Sequence, residues 1–120
     1  MPFEILELSN SVMTVKVMSR LKKSELDRIQ AVALEAIKRW GKIRALIILD
    51  NFRGWETSPD WGDVTFMSEH SKEIEKIAIV GEEMWKDQAY AFTGKGFRPT
   101  AIEYFSPSER DQAVAWLEET

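Results

Sequence analysis

Two stretches of the chain are apolar at nearly every position. Ile43–Asp50 contains five consecutive aliphatic residues at 45–49, and Ile74–Gly81 contains an unbroken apolar run at 77–80. Strands of this kind have no solvent face, and they lie inside a sheet that helices cover on both sides. The pattern therefore predicts two central strands of an α/β fold.

Shorter runs predict the outer strands. Phe3–Leu8 and Val12–Met18 are separated by three polar residues, and the second run alternates apolar and polar positions, as a strand with one solvent face does. These two runs predict a hairpin at the edge of the sheet. Thr100–Phe105 predicts a last strand, nearer an edge because Glu103 interrupts its apolar pattern.

Helix signals fill the gaps between these strands. Ser24 and Asp27 have the spacing of a capping box, and apolar residues then recur at helical spacing up to Trp40. A short helix is predicted over Met84–Thr93. Two more helices are predicted to begin where a hydroxyl cap is followed by proline, at Thr57-Ser58-Pro59-Asp60 and at Ser106-Pro107-Ser108-Glu109.

The predicted order of elements is β-β-α-β-α-β-α-β-α in a single domain, 1–120. Strands that are joined through helices must be parallel, with right-handed crossovers. The sequence therefore predicts a small mixed, mainly parallel five-stranded sheet that is flanked by helices.

Composition and charge narrow the possible functions. The 120 residues carry a net charge of −4, and an acidic chain gains nothing from counterion release on a polyphosphate, so we expect no nucleic-acid partner. The absence of cysteine excludes disulfides and thiolate chemistry and suits a reducing cytoplasm. His70 is the only histidine, so we expect no metal and no cofactor. No apolar run approaches the ~20 residues of a membrane span, and no signal-peptide pattern is present.

The most unusual residues follow the first buried strand. The segment 50–56 places charges, an amide and two aromatic rings at the carboxyl end of that strand, where open α/β sheets bind ligands. One interpretation is a structural turn over Asn51–Ser58, in which Gly54 takes a positive φ. The other is a recognition loop, since tryptophan and arginine are enriched in binding hot spots. The candidate site consists of Asp50, Asn51, Phe52, Arg53, Gly54, Trp55, Trp61 and Trp85.

These residues also carry a resemblance to a known family. Asp50 with Phe52-Arg53-Gly54-Trp55, Ile77–Gly81 followed by Trp85, and the closing Ala113…Trp116-Leu117 resemble the SpoIIAA-like family, relatives of the STAS domains. The resemblance covers nearly the whole chain. It implies a four- or five-stranded sheet whose first two strands pair as a hairpin.

The resemblance also implies a type of function. STAS relatives are protein-binding switches, in which phosphorylation of a serine or threonine after the central strand breaks contact with a kinase partner. Here Asn51 stands where that hydroxyl would be, so we expect the usual phosphoserine switch to be missing. Thr57 and Ser58 are the nearest hydroxyls and are the candidate phosphosites, with plain helix capping as the alternative.

Three classes of function follow. The leading hypothesis is a non-catalytic regulatory or protein-interaction domain, because the sequence holds no catalytic constellation. The second is a carrier or sensor that binds a small apolar ligand or lipid in a cleft lined by Phe52, Trp55, Trp61 and Trp85. The third is a hydrolase-type enzyme that uses Asp50 or His70 as its base.

The sequence also bears on self-association and on contact with a membrane surface. Aromatic surface left over on a small domain often pairs symmetrically, so a homodimer is a candidate assembly. The basic cluster Lys16, Arg20, Lys22 and Lys23 is too small for more than weak contact with a membrane surface.

Overall fold

The computed structural model describes residues 3–56, 69–96 and 98–119. Within them, five strands form one sheet in the order of the sequence. The first two strands are antiparallel, and every later pair is parallel. The predicted mixed, mainly parallel sheet with its hairpin is therefore confirmed. The strands are β1 (Phe3–Ser9), β2 (Val12–Leu21), β3 (Ile43–Trp55), β4 (Ile74–Val80) and β5 (Ala101–Phe105).

Helices pack on both faces of this sheet. In the described ranges they are α1 (Lys23–Trp40), α2 (Lys86–Thr93) and α3 (Arg110–Glu118), and short 3-10 turns precede β4, α2 and α3. None of the helices in these ranges is long and apolar enough to cross a bilayer. The helix predicted to begin at Thr57 and Ser58 lies outside the described residues.

Side chains of the central strands alternate between two apolar clusters, one on each face of the sheet. Along β3, Ala45 and Ile47 belong with the cluster beneath α1 and α2, whereas Leu46 and Ile48 belong to the cluster beneath α3. Strand β4 alternates in the same way. Because helices cover both faces, these strands need no polar positions, as the sequence predicted.

Helix α1 starts differently from the prediction. It begins at Lys23, and its N-cap residue is Lys22, so the predicted capping box of Ser24 and Asp27 is wrong. The Lys22 backbone N–H donates instead to Glu25 Oε1 at 2.7 Å. Since a carboxylate in the first turn already satisfies the backbone at the start of the helix, a hydroxyl cap is not required there.

Strand β3 continues through Trp55, so the predicted turn over Asn51–Ser58 is wrong for its first five residues. Strand β2 is also longer than predicted and reaches Leu21, which pairs with Trp55. The pairing shifts register twice, and Asn51 and Gly54 have positive φ values of 50° and 97°. The turn-forming residues therefore kink the strand without ending it, because the extended β2 supplies partners for the backbone.

Candidate functional site

The kinked end of β3 brings together four aromatic side chains, Phe52, Trp55, Trp85 and Phe92, which we call the aromatic cluster. Phe52 is 8% exposed, and its ring centroid lies 5.0 Å from that of Trp55 and 5.2 Å from that of Trp85. The Trp55 and Phe92 centroids are 5.2 Å apart. The Phe52 contacts are edge-to-face, which is a favoured arrangement for aromatic rings. The predicted residues Phe52, Trp55 and Trp85 therefore do meet.

Gly54 allows this packing. Its φ of 97° is one that side-chain-bearing residues rarely adopt, and a Cβ there would lie 3.3 Å from the Trp85 ring. The Trp85 ring thus lies directly over the Gly54 backbone. Glycine is the residue that satisfies both the backbone conformation and this close approach.

The polar residues of the same segment point elsewhere. Asp50, Asn51 and Arg53 are exposed, and we call them the polar edge. The side chain of Asp50 is 52% exposed, and its Oδ2 lies 3.9 Å from Lys16 Nζ. The segment therefore has an aromatic side that is packed and a polar side that faces solvent. The other predicted members, Trp61 and the candidate phosphosites Thr57 and Ser58, lie outside the described residues.

A cavity of about 150 Å³ adjoins the aromatic cluster. It lies between the sheet and the helices α1 and α2, and its lining is almost wholly apolar. Phe52 and Trp55 contribute to its wall from β3. Leu26, Ile29 and Ala33 of α1 and Phe92 of α2 also contribute to its wall. The extension of β3 past its predicted end thus contributes two aromatic side chains to the wall of the cavity.

The side chain of Arg98 also lines this cavity. Its Nη1 donates a hydrogen bond to the Thr93 carbonyl oxygen at 3.1 Å, at the C-terminal end of α2. Its Nε and Nη2 are shielded from solvent and have no hydrogen-bond partner in the described ranges of the chain. Burial lowers the pKa of Arg98 from its ordinary value, because desolvation disfavours the charged form. Trp55 Nε1 is another buried donor that has no partner within the same ranges.

Sequence reasoning missed Arg98. The segment just before it, Gly94-Lys95-Gly96, lacks the spacing of a phosphate-binding loop, and no periodic pattern places Arg98 on an element. The usable signal is an arginine a few residues after the glycine that ends a helix, since such a side chain can fold back on the helix C-terminus. In the structure the Arg98 side chain packs beside Gly94, where an added Cβ would lie 3.4 Å from Arg98 Cδ.

Comparison with known proteins places this fold. A family model described as SpoIIAA-like matches residues 12–118. The chain belongs to the SpoIIAA-like family. The crystal structure of an uncharacterized protein of the DUF3478 family from Shewanella loihica PV-4, with a SpoIIAA-like fold, superposes with a TM-score of 0.73. The two are 22% identical, and the match covers 96% of this chain and 93% of that chain, so it supports the fold alone. No match is found among curated proteins.

In this SpoIIAA-like chain, the two candidate bases of the enzyme hypothesis lie apart from the cavity. His70 Nδ1 is 2.9 Å from Glu73 Oε1, and its Nε2 is 3.9 Å from Glu69 Oε2. Asp50 belongs to the polar edge and faces Lys16. Neither His70 nor Asp50 lines the cavity. Over the residues that the structure describes, no three histidine or acidic side chains come close enough to hold a metal ion.

Proposed function

We propose that this SpoIIAA-like domain is a non-catalytic carrier or sensor that holds a small apolar molecule in the cavity beside the aromatic cluster. The observation that carries the proposal is the cavity itself, which is about 150 Å³ in volume and apolar. An apolar cavity of about that size, built into another protein, stays dry and binds benzene. A ligand with a benzene-sized body therefore matches this space.

Packing energetics give such a ligand a reason to bind. Side chains that border an empty space lack dispersion contacts on one side, and an apolar occupant restores them. Ile29 and Phe52 are each 8% exposed, so these wall residues are already buried before a ligand binds. A preformed apolar site of this kind binds without a large ordering cost.

The lining favours binding over chemistry. Among the described lining residues there is no carboxylate and no imidazole. The Thr93 hydroxyl, which could act as a nucleophile, donates instead to the Ala89 carbonyl oxygen at 2.7 Å. With neither Asp50 nor His70 at the wall, a bound molecule would meet no general base. These positions support the proposal that the domain is not an enzyme.

The test is a titration with phenylethanol, a neutral molecule with a benzene-sized body. Trp55 borders the cavity, so occupancy should change the tryptophan fluorescence, and binding to the folded state should raise the melting temperature. Native mass spectrometry of the purified protein should also detect a small bound molecule if one is retained. Unchanged fluorescence and an unchanged melting temperature across a panel of small apolar molecules would refute the proposal.

A protein-interaction role is the second candidate, and the polar edge favours it. Arg53 is exposed on the same strand segment whose Phe52 and Trp55 line the cavity, so a partner bound there would contact a strand that borders the cavity. Arg53→Ala should leave the unfolding free energy within ~1 kcal/mol of the parent. It should weaken capture of a partner, whereas Arg110→Ala, at another exposed arginine, should not. Equal capture by both variants would remove this role. Homodimerisation and weak membrane contact stay predictions.

A further inference from the structure

The guanidinium of Arg98 is more than a helix cap. Its Nη1 caps the C-terminal end of α2 through the Thr93 carbonyl, and the helix dipole favours a positive charge there. That contact uses only the Nη1 group of the guanidinium. A cap alone would leave the remaining donors in water, but Nε and Nη2 are shielded from solvent, have no partner in the ranges described, and belong to a side chain that lines the cavity.

The unused donors have a definite shape. Nε–H and Nη2–H lie side by side on one edge of the planar guanidinium and point in parallel, which is the fork that binds both oxygens of a carboxylate. A half-buried charge without a counter-ion is unfavourable, and no carboxylate among the described residues forms an ion pair with Arg98. An anionic ligand would supply the missing counter-ion.

We infer that the ligand is a small monocarboxylic acid, with its apolar body in the cavity and its carboxylate on the Nε–Nη2 edge of Arg98. This inference rests on the proposed function and adds the chemical class of the ligand. The body is limited to about the size of a benzene ring by the volume of about 150 Å³. Within the described ranges, Trp55 Nε1 is another buried donor without a partner on a lining side chain.

A matched pair of probes separates the two ideas. Phenylacetate and phenylethanol share the aromatic body and differ in the charged group, and calorimetry gives their dissociation constants. The parent protein should bind phenylacetate roughly 10- to 100-fold more tightly, the range expected for a hydrogen bond between charged groups. Equal affinities, or a preference for the alcohol, would overturn the inference and leave the proposed function standing. Binding of neither probe, and of no other molecule in the panel of small apolar molecules, would overturn the proposed function itself.

Variants of Arg98 test whether this residue causes the preference for phenylacetate over phenylethanol. Arg98→Met keeps a long apolar side chain and removes the charge, so the ratio of the phenylethanol to the phenylacetate dissociation constant should fall to about one or below. Arg110→Met removes an exposed arginine on the helix of the other face and should behave as the parent. A preference that survives in Arg98→Met would overturn the inference. If Arg98→Met does not fold, Arg98→Lys keeps the cap charge without the fork, and an undiminished preference in that variant is the contradicting result.

Discussion

Filling the cavity from α1 should stabilise the protein and abolish binding at the same time. Ala33 is 4% exposed and lines the cavity, so a leucine there would extend into empty volume. Ala36 lies on the same helix, is 2% exposed and belongs to the same apolar cluster, but it is not part of the described lining. Ala33→Leu is therefore the perturbation, and Ala36→Leu is its matched control.

The magnitude follows from the size of the added group. Leucine exceeds alanine by about three carbon atoms, and burying each contributes about 0.8 kcal/mol, or about 2.4 kcal/mol in all. Restricting the leucine rotamers costs about 0.5–1 kcal/mol, so Ala33→Leu should raise the unfolding free energy by about 1–2 kcal/mol. Ala36→Leu adds the same atoms to packed surroundings and should lower it by about 1–3 kcal/mol.

Urea denaturation followed by tryptophan fluorescence measures both variants, with the shift of the midpoint at constant m-value as the readout. A phenylethanol titration of the same samples measures binding, which Ala33→Leu should remove. Two results would refute the reasoning. One is a loss of stability in Ala33→Leu equal to that in Ala36→Leu, which would mean that the space is already filled. The other is parental affinity for phenylethanol in Ala33→Leu.

Three other changes test the contacts around the site and the sheet. Gly54→Ala should lower the unfolding free energy by about 1–3 kcal/mol and alter the near-ultraviolet circular dichroism, because its backbone has a φ of 97° beneath the Trp85 ring. Lys76→Met should speed amide exchange at the end of α3, because Lys76 Nζ donates to the carbonyl oxygens of Trp116 at 2.8 Å and Glu119 at 2.9 Å. Tyr104→Phe should remove the tyrosinate absorbance change near pH 12, because burial, followed by the nearby acids Glu83 and Glu82, raises the Tyr104 pKa to about 12.

The raised pKa of Tyr104 also makes the free energy of unfolding depend on pH. Above pH 10, the ordinary value, the unfolded chain releases the phenolic proton while the folded protein retains it, so stability falls as pH rises towards 12. The parent should therefore lose stability over this window relative to Tyr104→Phe. A tyrosinate absorbance change near pH 12 that persists in Tyr104→Phe would contradict the raised pKa of Tyr104.

The predictions for Gly54→Ala and Lys76→Met can each be contradicted by one result. Parental stability in Gly54→Ala would show that the strand relaxes around the new Cβ. Parental exchange at the end of α3 in Lys76→Met, equal to that of the exposed control Lys42→Met, would show that the Lys76 contacts do not hold the helix.

The architecture was predictable because its signals are local. An apolar run such as 45–49 is compatible with few environments other than a strand covered on both faces. The predicted cap at Ser106 is confirmed, since Ser106 is the N-cap of the 3-10 turn before α3 and its backbone N–H donates to Glu109 Oε1 at 2.9 Å. The end of β3 was not predictable in this way. Asn51 and Gly54 favour a turn locally, and the pairing that overrides them comes from β2, more than thirty residues earlier in the chain.

The candidate site was only partly predictable, for a physical reason. Phe52, Trp55 and Trp85 are large enough to indicate a cluster at the strand ends. A cavity, however, is volume left unfilled by side chains from several elements, so no single stretch of sequence encodes it. Arg98 was missed because its place depends on the contact of its side chain with the C-terminal end of α2, in a part of the sequence where no periodicity applies.

The sheet also separates the described part of the chain into two apolar compartments, and no buried residue belongs to both. One compartment holds the cavity, and the other anchors α3 through Leu46, Ala78 and Leu117. Family members could therefore diverge in what they bind by changing residues on one side only, without re-engineering the attachment of the last helix. Such a partition lets a single scaffold acquire new ligands by small evolutionary steps.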